Sequence, residues 1–220
     1  MQEFNRTYWE DMYQLPVDDL PWEIKEAPDE ITTYVAEHAT PDGRALDAGC
    51  GTGNFSEYLA RSGYRVTGVD YSEKALEIAR AKNAKHRLPI SYIRCDITSL
   101  AAAVGETRFD LILDYKVSHH LEGPRINAYI DQCLEVLQPG GQLLLVCYSE
   151  KDADAQGAAS AVGKFGNEMF YRTRQEVERL YAKFQVVSYR EVLLGKKLNH
   201  PGHCFVFQKP QPSDRQSAAA

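Results

Sequence analysis

From residue 44 onward the chain alternates two hydrophobic patterns. Short, nearly continuous apolar runs at about 44–49, 65–70, 90–95, 109–114 and 142–148 read as strands buried on both faces. A parallel strand covered by helices on each side need not alternate apolar with polar residues. Between these runs, apolar residues fall three and four apart, as on one face of a helix. The clearest case follows Pro124: Ile126, Tyr129, Ile130, Cys133, Leu134 and Leu137 share a face, and Pro139-Gly140-Gly141 ends the run. Upstream, Ile31, Val35 and His38 fit a helix leading into the first strand. Residues 151–168 have no firm period; Val177, Leu180, Tyr181 and Phe184 then make another helix face. Strands at about 185–194 and 203–209, joined by a short turn from Gly195 to Gly202, read as an antiparallel return. The pattern predicts an α/β fold, a Rossmann-like, doubly wound, mostly parallel sheet with an antiparallel last strand and helices on both faces.

Size and composition narrow this picture. At 220 residues the chain suits one well-buried core, with a lead-in over 1–40, a main domain over 41–209 and a polar, disordered tail over 210–220. The net charge of −6 and the lack of a lysine or arginine block argue against a nucleic-acid footprint. The five cysteines are scattered without a Cys-x-x-Cys pair, which argues against a zinc site or a disulfide framework and fits a cytoplasmic protein. No apolar signal segment is expected in residues 1–14, and the run from Leu143 to Tyr148 is too short to span a bilayer.

The candidate chemistry centres on Leu46-Asp47-Ala48-Gly49-Cys50-Gly51-Thr52-Gly53-Asn54-Phe55. Glycines on alternate positions after a strand let the chain turn tightly into a helix and let a ligand approach bare backbone. The helix then points free N–H groups at that ligand. A dinucleotide fingerprint would need a third glycine at position 54, where Asn54 stands, and that weighs against a nicotinamide-dependent oxidoreductase. Asp70, at the end of the second strand, lies roughly 20 residues past the turn, the interval at which a βαβ unit brings a carboxylate to a ribose diol. Asp96 closes the third strand, followed by Ile97.

The spacing Asp47-x-Gly49-x-Gly51-x-Gly53 resembles motif I of the class I S-adenosyl-L-methionine (SAM) dependent methyltransferases. Leu137-Gln138-Pro139-Gly140-Gly141 is similar to the turn before that family's fifth strand. The resemblance covers about residues 40–209 and implies a seven-stranded sheet. It also implies SAM as cofactor and S-adenosyl-L-homocysteine as product. Asp96 would accept the adenine amine, Ile97 would pack on the ring, and Cys50, Tyr71 and Asp114 would complete the cofactor side. The segment Asp114-Tyr115-Lys116-Val117-Ser118-His119-His120-Leu121 is similar to the "DxGxxHHL" of tellurite-resistance and thiol methyltransferases, with Lys116 in place of glycine. His119 and His120 are therefore the candidate proton-transfer groups, with pocket lining as the plainer reading.

Trp9, Tyr13 and Trp22 resemble the aromatic lead-in of the same small-molecule enzymes, and Phe4 adds to it. With Tyr115 and Tyr171 they are the candidate substrate-binding residues, either as a lid or as plain packing. Residues 151–171, which include Phe165, Met169 and Phe170, are the other candidate cover. The expected activity is in-line methyl transfer to a small thiol, hydroxyl or amine, needing no metal, nucleic acid or membrane. The alternatives are a non-catalytic SAM-fold binding protein or, with less support, an enzyme acting on protein or RNA. The strand-four segment lacks the Asn/Asp-Pro-Pro-Tyr/Phe signature of many methyltransferases of the latter kind.

Overall fold

The computed structural model describes residues 8–38, 40–155, 157–162, 166–195 and 199–212. Phe4, Phe165 and the end of the expected tail lie outside these residues. The strands are β1 (Arg44–Ala48), β2 (Arg65–Asp70), β3 (Ile90–Arg94), β4 (Phe109–Tyr115), β5 (Leu137–Tyr148), β6 (Ser160–Val162), β7 (Glu168–Phe170), β8 (Gln185–Leu194) and β9 (His200–Gln208). The helices are α1 (Asp29–His38), α2 (Asn54–Arg61), α3 (Glu73–His86), α4 (Leu100–Val104), α5 (Pro124–Val136) and α6 (Arg174–Leu180).

Seven strands form one sheet in the order β3-β2-β1-β4-β5-β9-β8. Strands β3, β2, β1, β4 and β5 pair in parallel, and β9 runs antiparallel to both β5 and β8. The strand order reverses between β1 and β4. The crevice above that switch point, at the carboxyl ends of the strands, is where such sheets bind ligands.

The alternation of side chains along a strand divides the core between the two faces. Ile112 packs with Leu46, Tyr129, Phe205 and Phe207 on one side; Leu111 and Leu113 pack with Ile31, Tyr34, Leu144 and Val206 on the other. Helix ends follow local chemistry. The Ser72 hydroxyl accepts the Ala75 amide to start α3, and Thr173 and Glu176 form a reciprocal capping box at α6. Among the described residues no helix is long and apolar enough to cross a membrane.

The structure corrects three boundaries. Helix α5 stops at Val136, and Leu137 opens β5, so Pro139-Gly140-Gly141 lies inside a strand. A Cβ on Gly141 would sit 2.8 Å from the Phe109 carbonyl oxygen, and the β4–β5 register shifts between Phe109 and Leu111. The bare backbone at Gly141 is what permits that close approach. The segment after β5 contains a 3₁₀ turn at Ala153–Ala155 and the hairpin β6–β7, and the last strand begins at His200. Within the lead-in, α1 belongs to the sheet-covering layer: the Tyr34 hydroxyl donates to Gln142 Oε1 at 2.8 Å.

Phe207 stacks on Tyr181 and on Phe205, with ring centroids 5.0 Å apart in both cases. Phe207→Ala is expected to destabilise the domain by about 3–5 kcal/mol, the range for emptying a buried aromatic site, as read from urea unfolding.

Candidate active site

The turn from β1 into α2 is the floor of the site. Gly49 and Gly51 hold φ of 69° and 53°, in the left-handed region. A Cβ on Gly49 would lie 2.6 Å from a Val117 methyl, and one on Gly51 2.8 Å from the Tyr13 hydroxyl. Side chains from two other segments thus occupy the space that any larger residue would need. The Gly51 amide donates to Asp70 Oδ2 at 2.8 Å, and the Ser72 amide donates to Asp70 Oδ1 at 2.9 Å. Asp47 is buried beneath the turn and accepts the Ser56 hydroxyl at 2.6 Å. Burial, with Asp70 nearby and against the Ser56 bond, pushes its carboxyl up to about 7.

Glu23, from the segment before α1, was not anticipated as part of the site. Its buried carboxylate accepts the Thr52 hydroxyl at 2.9 Å and the Asn54 amide at 2.6 Å, at the start of α2. The Lys82 ammonium completes this cluster through Thr52 Oγ1 and Asn54 Oδ1.

A cavity of about 780 Å³ opens above the turn, inside the range of roughly 300–1,000 Å³ usual for small-molecule sites. On the β2–β3 side it is lined by Asp70, Tyr71, Asp96 and Ile97. Asp96 caps the next turn, accepting the Thr98 amide at 2.9 Å, and its other oxygen pairs with Arg125 at 3.0 Å. A carboxylate has about four lone-pair sites, so Asp70 and Asp96 keep acceptor capacity toward the cavity. On the β4–β5 side the lining includes Tyr115, Lys116, His119, His120, Tyr148, Tyr171 and His200. Trp9, Tyr13 and Trp22 form the roof. The Trp9 ring lies 5.2 Å from that of Trp22 and 5.0 Å from that of His120, and the Trp22 indole N–H donates to the Tyr13 hydroxyl at 3.1 Å. The Tyr8 hydroxyl donates to Asn167 Oδ1 at 3.2 Å, joining the roof to the β6–β7 hairpin.

The comparisons with known proteins agree with this architecture. Residues 45–141 match the family model described as a methyltransferase domain. The matched stretch, from β1 into β5, is similar to methyltransferase domains. A 104-residue stretch is 42% identical to a ubiquinone biosynthesis O-methyltransferase of Cereibacter sphaeroides (strain ATCC 17025 / ATH 2.4.3), covering 47% of this chain and 40% of that relative. In structure the chain is similar to a protein from work on conversion of a disulfide bond into a thioacetal group during echinomycin biosynthesis. That match has a TM-score of 0.77 and 24% identity, and covers 97% of this chain and 98% of that one. It is also similar to a Burkholderia thailandensis 1,6-didemethyltoxoflavin-N1-methyltransferase crystallised with 1,6-didemethyltoxoflavin and S-adenosylhomocysteine. There the TM-score is 0.76 and the identity 20%, over 94% of this chain and 87% of that one. At these identities the structural matches speak for the fold.

Most residues singled out from sequence line the cavity: Asp47, Gly49, Cys50, Gly51, Asp70, Tyr71, Asp96, Ile97, both histidines and the five candidate substrate-binding aromatics. Two do not. Gly53 packs under the turn, where a Cβ would collide with the Tyr92 hydroxyl. Asp114 is fully buried, and its Oδ1 accepts the Val117 and Ser118 amides at 3.0 and 3.2 Å, which makes it the brace of the turn after β4. Lys116 takes a φ of 62° where the related motif has glycine, with its ammonium 5.4 Å from the Tyr115 ring centroid and 5.8 Å from that of Tyr148.

The two histidines depart from the ordinary imidazoles assumed from sequence. His120 Nδ1 lies 2.7 Å from the Glu168 carbonyl oxygen, which can only accept, so Nδ1 carries the proton. His119 Nε2 then donates to His120 Nε2 at 3.0 Å, and His119 Nδ1 is left as a buried lone pair with no hydrogen bond among the described residues. Burial, reinforced by the charges of Lys116 and Arg172 and by His120, holds His119 well below the usual imidazole range. Burial lowers His120 to about 4, against the opposing Glu168 bond. Both rings are therefore neutral at pH 7 and poor proton acceptors.

The native imidazole pKa values lie below the unfolded value of about 6.5, so protonation favours the unfolded chain. The pair's contribution to stability is present above about pH 6.5 and is lost as pH falls through about 4. The ring resonances of His120 are expected to stay constant between about pH 6 and 8 and to titrate with a midpoint of about 4. A midpoint in the ordinary imidazole range, measured by NMR, would contradict this arrangement.

Proposed function

We propose that this protein is a SAM-dependent methyltransferase that acts on a small molecule bearing a nucleophilic hydroxyl. The observation that carries this reading is one continuous cavity with two chemically different ends. One end has a bare glycine-turn backbone with a carboxylate on each of the next two strand ends, Asp70 and Asp96. The other is a chamber of tyrosine, tryptophan and imidazole rings. SAM fits the first end. Asp70 would hold the ribose hydroxyls, Asp96 and Ile97 the adenine, and the turn at Gly49 and Gly51 the methionine portion.

SAM supplies a methyl group already activated on a sulfonium. The task left to the chain is to align an acceptor with that methyl and to keep water out. Trp9 and Trp22 above the cavity and the β6–β7 hairpin beside His120 are suited to that exclusion. Oxygen is favoured as the methylated atom because the sequence relatives are named as O-methyltransferases. The choice of a small acceptor agrees with a ring-lined chamber and with the absence of a basic run in the sequence. Residues 8–22, and the described part of the 151–171 loop at 151–155, 157–162 and 166–171, are read as the two halves of a cover that tightens on the bound cofactor.

Calorimetric titration is expected to give micromolar SAM binding. Asp70→Ala should weaken it by about 1.5–3 kcal/mol, the scale of charge-assisted hydrogen bonds. Wild-type binding of NADH without binding of SAM would reject the reading.

Hydrogen exchange with S-adenosylhomocysteine should add protection in both 8–22 and the 151–171 loop. Protection limited to residues 47–53 would reject the cover.

A further inference from the structure

We propose that Asp152 and His200 are the proton-accepting dyad of the acceptor chamber, with His200 Nε2 receiving the proton of the acceptor hydroxyl. This rests on the methyltransferase reading above.

The topology brings the two residues together. Strand β9 runs antiparallel to β5 with Gly202 opposite Tyr148. The start of β9 therefore emerges at the sheet edge where β5 ends. That is also the ligand-binding edge of the parallel strands. His200 opens β9, and Asp152 lies just past β5. His200 Nδ1 stands 2.9 Å from Asp152 Oδ2, and the Asp152 side chain is buried. The carboxylate is itself fixed, because its Oδ1 accepts the Asp154 amide at 2.8 Å.

The tautomer follows. A carboxylate oxygen accepts, so Nδ1 carries the proton and the neutral ring has its lone pair on Nε2. Nε2 lies on the ring edge away from Asp152, and His200 lines the cavity. No hydrogen bond to Nε2 is made among the described residues. The groups facing His200 are the Asp152 and Asp154 carboxylates, the latter at 3.8 Å, and the Tyr148 ring, 5.8 Å away between centroids. Tyr171 lies beyond Tyr148, with ring centroids 6.0 Å apart. Burial raises both phenols, Tyr148 to about 12 and Tyr171 higher still, and the two carboxylates add to this. The phenols therefore remain neutral; among the described residues the two acids are the charges paired with His200, and the Lys116 ammonium lies 5.8 Å from the Tyr148 ring centroid. Two carboxylates lie on the Nδ1 side of the ring.

His119 and His120 offer nothing comparable. Their Nε2 atoms are spent on each other, and His120 Nδ1 is spent on the β6–β7 hairpin. They shape the chamber, and His200 takes the proton. The step balances: the acceptor oxygen forms a bond to the methyl carbon as the carbon–sulfur bond breaks. The sulfur keeps that electron pair as a neutral thioether, and the oxygen's proton passes to His200 Nε2.

The test uses catechol and thiophenol as acceptor probes with SAM. At about pH 8 thiophenol is already a thiolate and needs no base. His200→Gln is expected to slow single-turnover transfer to catechol by roughly 10²- to 10⁴-fold, the usual worth of a positioned base. The acidic limb of the rate profile should disappear, SAM affinity should be kept, and transfer to thiophenol should change far less. Asp152→Asn should show the same contrast in weaker form. Equal losses on both probes, or an unchanged catechol rate, overturn the proposal. So does a catechol rate that a chelator abolishes and a divalent cation restores.

A second arm needs no turnover. Nitrogen-15 NMR of the wild-type protein should show His200 protonated at Nδ1 with a bare Nε2, and Asp152→Asn should disturb that tautomer. Protonation at Nε2 at neutral pH overturns the dyad. Failure of SAM to bind the wild-type protein would instead overturn the methyltransferase reading, so the two failures are distinguishable.

Discussion

The site depends on a steric constraint: the turn after β1 has no room for side chains at its three glycines. Val117, from the segment after β4, fills the space over Gly49, and Tyr13, from the N-terminal segment, fills that over Gly51. Tyr92, from β3, closes under Gly53. Three segments distant in sequence are thus set in position by contact with one bare stretch of backbone. Glu23 strengthens the arrangement by binding Thr52 and Asn54 at the start of α2. Floor, roof and far wall of the cavity are therefore mechanically connected, and a change in any of them is felt at the glycines.

Electrostatics divides the same cavity. Near the turn, buried carboxylates are steadied by amide and hydroxyl donors: Asp47 by Ser56, and Asp70 by the Gly51 and Ser72 amides. Such donors offset part of the cost of burying charge. Toward β4 and β5 the polar groups are rings. His119 is buried, His120 is half-buried and both are kept neutral, while the Asp152–His200 pair combines a fixed carboxylate with a ring open to the cavity. Neutral imidazoles can share one hydrogen bond without penalty.

The sequence exposed what is encoded locally. The glycine alternation, the acids at the ends of β2 and β3, and the apolar runs of the parallel strands are each contained within a few residues, and all are found where expected. Features made by long-range juxtaposition were hidden. Asp152 and His200 are 48 positions apart, and no spacing rule links them. The three-residue strands β6 and β7 are too short to show a period. Leu137 satisfies the helix face of α5 and the start of β5 equally well, so its pattern could not choose. For Asp114, a strand-end acid announced a carboxylate without revealing that it faces the turn beneath the cavity.

Lys116 draws together backbone and function. A lysine held at a φ of 62° gives up about 1–2 kcal/mol relative to a right-handed conformation, a penalty that glycine would escape. The fold thus tolerates strain at a position where a simpler residue would relieve it. That strain sets an ammonium beside the Tyr115 and Tyr148 rings at the edge of the chamber. Conformational ease and surface chemistry pull in opposite directions at this position, and chemistry has prevailed. For protein engineering, residue 116 is a dial on which thermal robustness and the character of the pocket cannot be set independently.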